Sequence, residues 1–160
     1  MKYKTREIKA KFNDETFSLL NQGGHPEGRY KFLKDIQRLE KIVSNNNKTI
    51  GYCIFLTNDE SYWKKSNRDS VGKKFNIHAG REIRGMLSWG EGAGNWVKKV
   101  GGKFKLDGIY NLCWKDYSKG FKYLLVEVNK YIYYKTFLEI QYAPLLPQQI
   151  IHLRKLSPQI

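Results

Sequence analysis

Two adjoining stretches of sequence decide the fold: GRYKFLKDIQRLEKIVS at residues 28–44 and GYCIFLT at residues 51–57. In the first stretch, apolar side chains recur at spacings of four, three and four, at Phe32, Ile36, Leu39 and Val43. This spacing places them on one face of a helix, so residues 28–44 are predicted to be an amphipathic α-helix. In the second stretch, the side chains that would point to either face of a strand are mostly apolar. This is typical of a strand inside a sheet that is covered on both faces. A helix followed by a buried strand predicts an α/β domain.

The segments on either side of this unit predict two β-hairpins. Alternating polarity and the turn residues Asn13-Asp14 predict a hairpin over residues 2–20. Two further strand-like runs lie within residues 107–128, with Ser118-Lys119-Gly120 between them. We therefore expect an α/β fold with a mixed sheet built from the hairpin at 2–20, the strand at 50–57 and the hairpin at 107–128, with the helix at 28–44 packed on one face.

The chain is strongly basic, and its charge is localised. Its 160 residues include 29 Lys and Arg against 15 Asp and Glu, for a net charge of +14. Residues 64–105 supply +8 of this charge, because eleven Lys or Arg there face three Asp or Glu. Regular periodicity also fades in this window. A localised excess of this size indicates an anionic partner, and nucleic acid is the natural candidate.

Other features of the composition narrow the class of protein. Apolar residues make up 41% of the chain and aromatic residues 14%, which is enough to build a core and excludes a wholly disordered basic tail. No apolar run approaches the roughly 20 residues of a membrane span, and the N-terminus lacks the apolar stretch of a secretory signal. We therefore expect a cytoplasmic protein with no membrane partner.

The basic residues provide the candidates for nucleic-acid contact. Cationic side chains attract phosphates without regard to base sequence. The predicted contact residues are Lys4, Lys64, Lys65, Arg68, Lys73, Lys74, His78, Arg81 and Arg84. For His78 a structural hydrogen-bonding role is favoured over phosphate contact. Aromatic residues are interleaved with these cations, at Tyr62, Trp63, Phe75, Trp89, Trp96 and Phe104. Such residues either stack on exposed bases or pack in the core, and packing is the favoured role for any single one.

No metal site is predicted from the histidines and cysteines. The three histidines, His25, His78 and His152, are scattered, with no second ligand at the spacing that zinc requires. The two cysteines, Cys53 and Cys113, lie sixty positions apart inside apolar runs. We interpret both as reduced core residues rather than as a disulfide.

Several phrases of the sequence resemble one group of proteins. They are FLKDIQRLE at 32–40, GYCIFLTND at 51–59, FNIH at 75–78, GREI at 80–83, LSW at 87–89 and WKDYS at 114–118. Together they resemble a bacterial restriction-endonuclease-like group of the PD-(D/E)XK nuclease superfamily, over about residues 2–128. The resemblance implies a restriction-endonuclease-like domain at 1–128, followed by a C-terminal extension of unknown role at 129–160.

The resemblance also implies a catalytic position. In that superfamily an acidic residue lies on one strand and a Glu-x-Lys triplet on the next, followed by a helix and another strand. The opening Lys2-Tyr3-Lys4-Thr5 resembles the tail of such a strand, so Lys2 would be the triplet's lysine. Asp35, Gln37 and Arg38 on the following helix would support the site. In the alternative without a functional role, Lys2 is an ordinary surface lysine and the helix face with Asp35 and Arg38 is simply exposed to solvent.

Phosphodiester hydrolysis of this type needs two carboxylates to hold Mg²⁺ and a lysine to position the attacking water. The resemblance places the carboxylates before residue 1, so we expect a partial restriction-endonuclease-like core that lacks the first helix and strands. Intact relatives would use Mg²⁺, and no cofactor is expected for this chain alone.

The expected function is nucleic-acid binding, with duplex DNA favoured, by a domain related to Mg²⁺-dependent nucleases. Whether the chain is an enzyme stays open. One alternative is a non-enzymatic basic nucleic-acid-binding protein. The other is one half of a split nuclease, completed by a partner chain that supplies the missing N-terminal strands.

Overall fold

The helix predicted at the centre of the sequence is also the centre of the fold. The computed structural model of the chain describes residues 1–46, 48–118 and 120–130. In chain order the elements are β1 (Lys2–Lys4), β2 (Ile8–Phe12), β3 (Glu15–Leu19), α1 (His25–Asn45), β4 (Gly51–Thr57), β5 (Glu82–Leu87), α2 (Trp96–Val100), β6 (Phe104–Asn111), β7 (Trp114–Ser118) and β8 (Phe121–Val128). Helix α1 packs against β4, β6 and β8. The predicted α/β fold, a main helix on a mixed sheet, is confirmed.

The main sheet has four strands in the order β1-β4-β8-β7. Strand β1 runs parallel to β4, with Lys2 opposite Phe55. The other pairs, β4 with β8 and β7 with β8, are antiparallel. Two parallel neighbouring strands need a connection that crosses from one end of the sheet to the other. Here α1 lies in that connection, between β1 and β4. This strand, helix and strand unit is the frame on which the N-terminal residues are placed.

Helix α1 follows the apolar period of the sequence and begins three residues earlier than expected. Pro26 lies in its first turn, where a missing N–H costs nothing, and Glu27 complements the positive end of the helix dipole. Gly28 is buried in the first turn, where a Cβ would lie 3.0 Å from Tyr62 Oη and 3.3 Å from Lys4 Cε. Glycine at this position therefore lets β1 and the segment after β4 approach the helix closely.

Aromatic side chains join the helix to the sheet and to the irregular segment that follows β4. The ring centroids of Phe32 and Phe55 lie 5.3 Å apart, and those of Phe55 and Tyr62 lie 4.8 Å apart. On the other side of α1, Tyr30 contacts Phe75 at 5.1 Å. The core thus extends from the four-stranded sheet into the segment between β4 and β5, including its two 3₁₀ turns, Glu60–Tyr62 and Lys73–Phe75.

The predicted hairpin at 2–20 is only partly correct. Strands β2 and β3 form a hairpin around Asn13, which has the positive φ of 45° expected in a tight turn. Strand β1 instead belongs to the main sheet. The two are separated at Thr5, which is buried and donates through Oγ1 to Leu20 O at 2.8 Å. The sequence concealed this break because the pattern of alternation across residues 2–12 continues through Thr5.

The predicted hairpin at 107–128 is wrong in its first strand. Strand β6 pairs with β5 in a separate two-stranded sheet, and the hairpin is formed by β7 and β8. The break is at Leu112, which is buried and exchanges backbone hydrogen bonds of 2.9 Å with Gly80 and Arg81. Cys113, next in the chain, is exposed, so its prediction as a core residue is also wrong. Cys53 is buried, and both thiols are free.

Strand β4 lies inside the sheet, but the expectation that both of its faces are covered is not met by the described residues. Cys53, Phe55 and Thr57 are buried, whereas Tyr52 is 54% exposed. Only the first two residues of the extension predicted at 129–160 lie within the described part of the chain. No helix among the described residues combines the length and the apolarity needed to cross a membrane.

Candidate nucleic-acid interface

Two of the three residues expected to support a catalytic lysine lie beside Lys2. Lys2 Nζ is 3.1 Å from Asp35 Oδ2, and Arg38 Nη1 donates to Asp35 Oδ1 at 2.8 Å. All three line a pocket of about 240 Å³ together with Tyr52 and Cys53. The third helix residue lies elsewhere, because Gln37 Nε2 donates to Lys105 O on β6 at 3.0 Å.

A second and larger depression lies between the start of α1 and residues 60–76. We call it the basic cleft, and its volume is about 460 Å³. Five cationic side chains line it: Arg6, Arg29, Lys64, Lys65 and Arg68. Its remaining donors are three hydroxyls and an amide, from Ser61, Ser66, Ser70 and Asn76. Three of the predicted contact residues, Lys64, Lys65 and Arg68, are therefore brought together here with two arginines that the sequence did not single out.

A buried carboxylate holds one wall of the basic cleft in place. Asp59 is 1% exposed and accepts hydrogen bonds from His25 Nε2 at 2.6 Å and Ser61 N at 3.0 Å. It also pairs with Arg6 Nε at 2.9 Å. Burial alone would raise the pKa of Asp59, but the hydrogen bonds from His25 and Ser61 outweigh it and lower that pKa. Asp59 therefore stays ionised and anchors Arg6 and His25 at the rim of the cleft.

Arg29 lies on α1, and two hydrogen bonds fix its guanidinium group. Its Nη2 donates to Ser61 O at 2.6 Å and its Nη1 to Asn76 Oδ1 at 3.0 Å. Its Nε is buried without a hydrogen-bond partner among the described residues. Burial lowers the pKa of Arg29, but a guanidinium stays charged at neutral pH. The cleft thus has a fixed positive charge at its inner end.

The charges around the basic cleft do not balance. Lys64 pairs with Glu60 at 2.6 Å, and Asp59 pairs with Arg6. Lys65 and Arg68 have no acidic partner in the part of the chain that the structure describes. Five cations against two carboxylates leave an excess of three positive charges, counting His25 as neutral. Such an excess around a concave surface attracts anions.

Two more of the predicted residues lie in an adjacent depression. Lys73 and Lys74 line a basin of about 410 Å³, which shares Ser70 with the basic cleft. Lys73 pairs with the exposed Asp69 at 3.1 Å, and Lys74 donates to Ser88 Oγ at 3.4 Å. The basin therefore continues the positive surface of the cleft toward the loop that holds Gly90 and Glu91.

The remaining predicted residues have donors that are used within the fold. Arg81 donates to the carbonyls of Lys73, Lys74 and Asn76, and so closes the second 3₁₀ turn. His78 Nδ1 lies 3.0 Å from Ala79 O. These contacts do not bring Arg81 or His78 into the basic cleft.

The last two predicted contact residues lie on strands. Lys4, on β1, donates to Gly23 O at 3.1 Å. Arg84, on β5, lies 3.4 Å from Glu82. Neither lines the basic cleft.

Sequence reasoning missed Arg6, Arg29 and Asp59, which shape the basic cleft. One local signal could have found Asp59, because an Asp two residues before a Ser after a strand often accepts the backbone N–H of that Ser. Arg29 gave no such signal, since it lies near the start of a helix that carries several other cations, most of them exposed. No protein-family model matches the chain, and no curated protein or solved structure was found to match it.

Proposed function

We propose that this chain binds nucleic acid, with duplex DNA as the favoured partner, by docking the phosphate backbone in the basic cleft. The observation that carries the proposal is the convergence of Arg6, Arg29, Lys64, Lys65 and Arg68 around one concave surface. These residues come from three separate parts of the chain, and three of their charges are uncompensated by the nearby carboxylates.

The lining of the cleft favours backbone contacts over base contacts. Most of its side chains are cations, hydroxyls and an amide, its one acidic side chain among the described residues, Glu60, is paired with Lys64, and its only aromatic ring there is that of His25. Cations and hydroxyls are the usual partners of phosphate oxygens, which position a protein on a duplex without reading its sequence. We therefore propose binding with little sequence preference and with a steep dependence on salt.

The fold supports a relationship to the PD-(D/E)XK nucleases as part of the same proposal. The order strand, helix and parallel strand, formed here by β1, α1 and β4, is the order that the resemblance implied. Lys2 lies on the first of these strands, beside Asp35 on the helix. Mg²⁺ belongs to the proposal only for relatives that carry the metal-binding carboxylates. We also propose a cytoplasmic location, because the sequence shows neither a secretory signal nor an apolar run of membrane-spanning length.

Fluorescence anisotropy with a labelled duplex tests the docking surface. Lys64→Glu, Lys65→Glu and Arg68→Glu together reverse three cleft charges, and we expect at least about a tenfold loss of affinity at low salt. The matched control reverses three exposed lysines outside the cleft, Lys41, Lys48 and Lys115. The proposal fails if the cleft variant binds as tightly as the unaltered chain, or if the control variant loses as much affinity.

A salt titration gives an independent measurement. The slope of log affinity against log salt reports the number of phosphates neutralised. We expect the cleft variant to lose about two to three units of that slope, because each contact contributes nearly one unit. An unchanged slope would place the phosphate contacts on another surface.

A further inference from the structure

Among the four tryptophans, the structure separates three that are partly buried from one that is exposed. Trp63, Trp89 and Trp114 are partly buried, and Trp89 and Trp114 pack against the core. Trp96 is 42% exposed and begins the short helix α2. Packing, the favoured role for any single aromatic of the basic window, therefore accounts for only part of the Trp96 ring.

The exposed indole of Trp96 rests on a fixed support. Its ring meets that of Trp89 edge to face, with centroids 5.0 Å apart. Trp89 is held by its Nε1, which donates to Gly101 O at 2.8 Å, and it stacks on Tyr30 at 5.3 Å. Since Tyr30 belongs to α1 and the core, Trp96 is the outer member of a stack anchored in the fold.

The surface around Trp96 is cationic. Lys98 and Lys99 on α2 and Lys103 just after it are exposed, and none has an ion pair with any residue that the structure describes. The loop before Trp96 contains Gly90, Gly92 and Gly94, so few side chains stand between the ring and an approaching strand. An exposed indole flanked by free lysines differs from a protein-docking patch, which is depleted in lysine.

Trp96 is also continuous with the proposed docking surface. The basic cleft shares Ser70 with the basin of Lys73 and Lys74, and Gly90 lines that basin. Gly90 follows Trp89 in the chain and donates its N–H to Val71 O at 2.7 Å. Because Trp89 contacts Trp96 at 5.0 Å, the basin is linked to the exposed indole through two successive neighbours, Gly90 and Trp89.

We propose that Trp96 is a stacking platform for an unpaired base of a nucleic acid whose backbone lies in the basic cleft. The ligand class is thus a duplex with a single-stranded tail, since paired bases inside a duplex present no free face to the indole. Stacking of a base on an aromatic side chain contributes roughly 1–3 kcal/mol and tolerates any base. This inference rests on the proposed function, because the cleft supplies the docking that brings the tail to Trp96.

Two duplexes that differ only in their tails test the proposal. One carries a single-stranded tail of normal nucleotides and the other carries a tail of equal length whose residues are abasic, so that charge is the same and only the bases differ. We expect the unaltered chain to bind the tail with bases at least about fivefold more tightly, the factor that corresponds to 1 kcal/mol. Trp96→Ala should abolish this preference, whereas Trp96→Phe, which keeps a ring, should retain most of it.

The control variant is Tyr117→Ala, which removes an exposed aromatic of 69% exposure on β7 and should keep the preference. The stacking proposal is overturned if the unaltered chain binds both tails equally, or if Trp96→Ala keeps the preference. Either result leaves the docking proposal standing if the cleft variant still weakens binding of both duplexes. Failure of the unaltered chain to bind either duplex would instead remove the proposed function.

Discussion

Lys2 Nζ lies 3.1 Å from Asp35 Oδ2, and this ion pair ties β1 to the middle of α1. The second oxygen of the same carboxylate accepts a hydrogen bond from Arg38 at 2.8 Å. Asp35 is therefore neutralised by two cations. Among the described residues it is the only carboxylate lining the pocket of about 240 Å³; the second depression that Lys2 lines contains Glu27, which is paired with Lys31.

The first prediction is that this chain alone does not nick plasmid DNA in the presence of Mg²⁺. Mg²⁺ prefers an octahedral set of oxygens, and binding at Asp35 would require displacing Lys2 and Arg38 from a single carboxylate. The measurement is conversion of supercoiled plasmid to open circles, with and without a chelator. Nicking that a chelator abolishes and that Lys2→Ala also removes would contradict the prediction.

A matched variant separates chemistry from folding in that assay. Lys31→Ala removes a lysine of α1 that is also ion-paired, to Glu27 at 2.5 Å. Lys31→Ala should change the free energy of unfolding by less than about 1 kcal/mol, since its ion pair is exposed. The Lys2–Asp35 pair is half-buried, so urea denaturation of both variants checks that each is folded in the assay. Any nicking that persists equally in both variants would be assigned to a contaminant or to another site.

The second prediction concerns Glu40, a buried carboxylate that ties α1 to β6. It accepts hydrogen bonds from Asp107 N at 3.0 Å, Gly108 N at 2.9 Å and Tyr110 Oη at 2.8 Å. Glu40→Ala leaves these donors without their acceptor, so we expect a loss of about 3 to 5 kcal/mol in the free energy of unfolding. Glu40→Gln keeps one acceptor oxygen and should lose less. Urea denaturation followed by circular dichroism measures both.

Glu27→Ala serves as the control for Glu40, because Glu27 lies on the same helix in an exposed ion pair with Lys31. Its effect on the free energy of unfolding should stay below about 1 kcal/mol. If Glu40→Ala is no more destabilising than Glu27→Ala, the hydrogen bonds to β6 do not hold the two-stranded sheet in place.

The elements that the sequence predicted are those set by local pattern. Helix α1 and strand β4 each show their own period, and both were found within a few residues of the expected bounds. Strand β5 was missed because its partner β6 lies some twenty residues later, across the glycine-rich loop. Strand β1 was joined to β2 because alternation continues across Thr5, and only the tertiary contacts of Thr5 reveal the break.

The candidate site was predictable in charge but not in shape. Counting cations located the window that supplies Lys64, Lys65 and Arg68. The same count could not show that Arg6 and Arg29 converge on these residues, since they are brought there by Asp59 and by the first turn of α1. Arg81 carries the same charge in the same window, yet it donates to backbone carbonyls.

The third prediction is an acid-dependent loss of stability through Asp59. Its pKa in the folded chain is lowered below the ordinary value of 3.8, so its ionised form stabilises the fold above that value. This contribution is lost as the pH falls below 3.8 through the folded-state pKa. Asp59→Asn should therefore lower Tm at pH 7, and its difference from the unaltered chain should shrink at the acid end. A difference in Tm that stays constant from pH 7 to acid would contradict this.

The fourth prediction is that the two thiols of the native chain differ in reactivity. Burial raises the pKa of Cys53 to about 11, whereas Cys113 is exposed at the turn between β6 and β7. Because the thiolate is the reactive form, Cys113 should react rapidly with an aromatic disulfide reagent at pH 8, and Cys53 only after unfolding. The measurement is the absorbance of released thiolate, with one equivalent expected from the native chain and two in urea. Cys113→Ser should remove the equivalent that the native chain releases, and Cys53→Ser only the second equivalent that appears in urea. Two equivalents released rapidly by the native chain would mean that β4 does not bury Cys53.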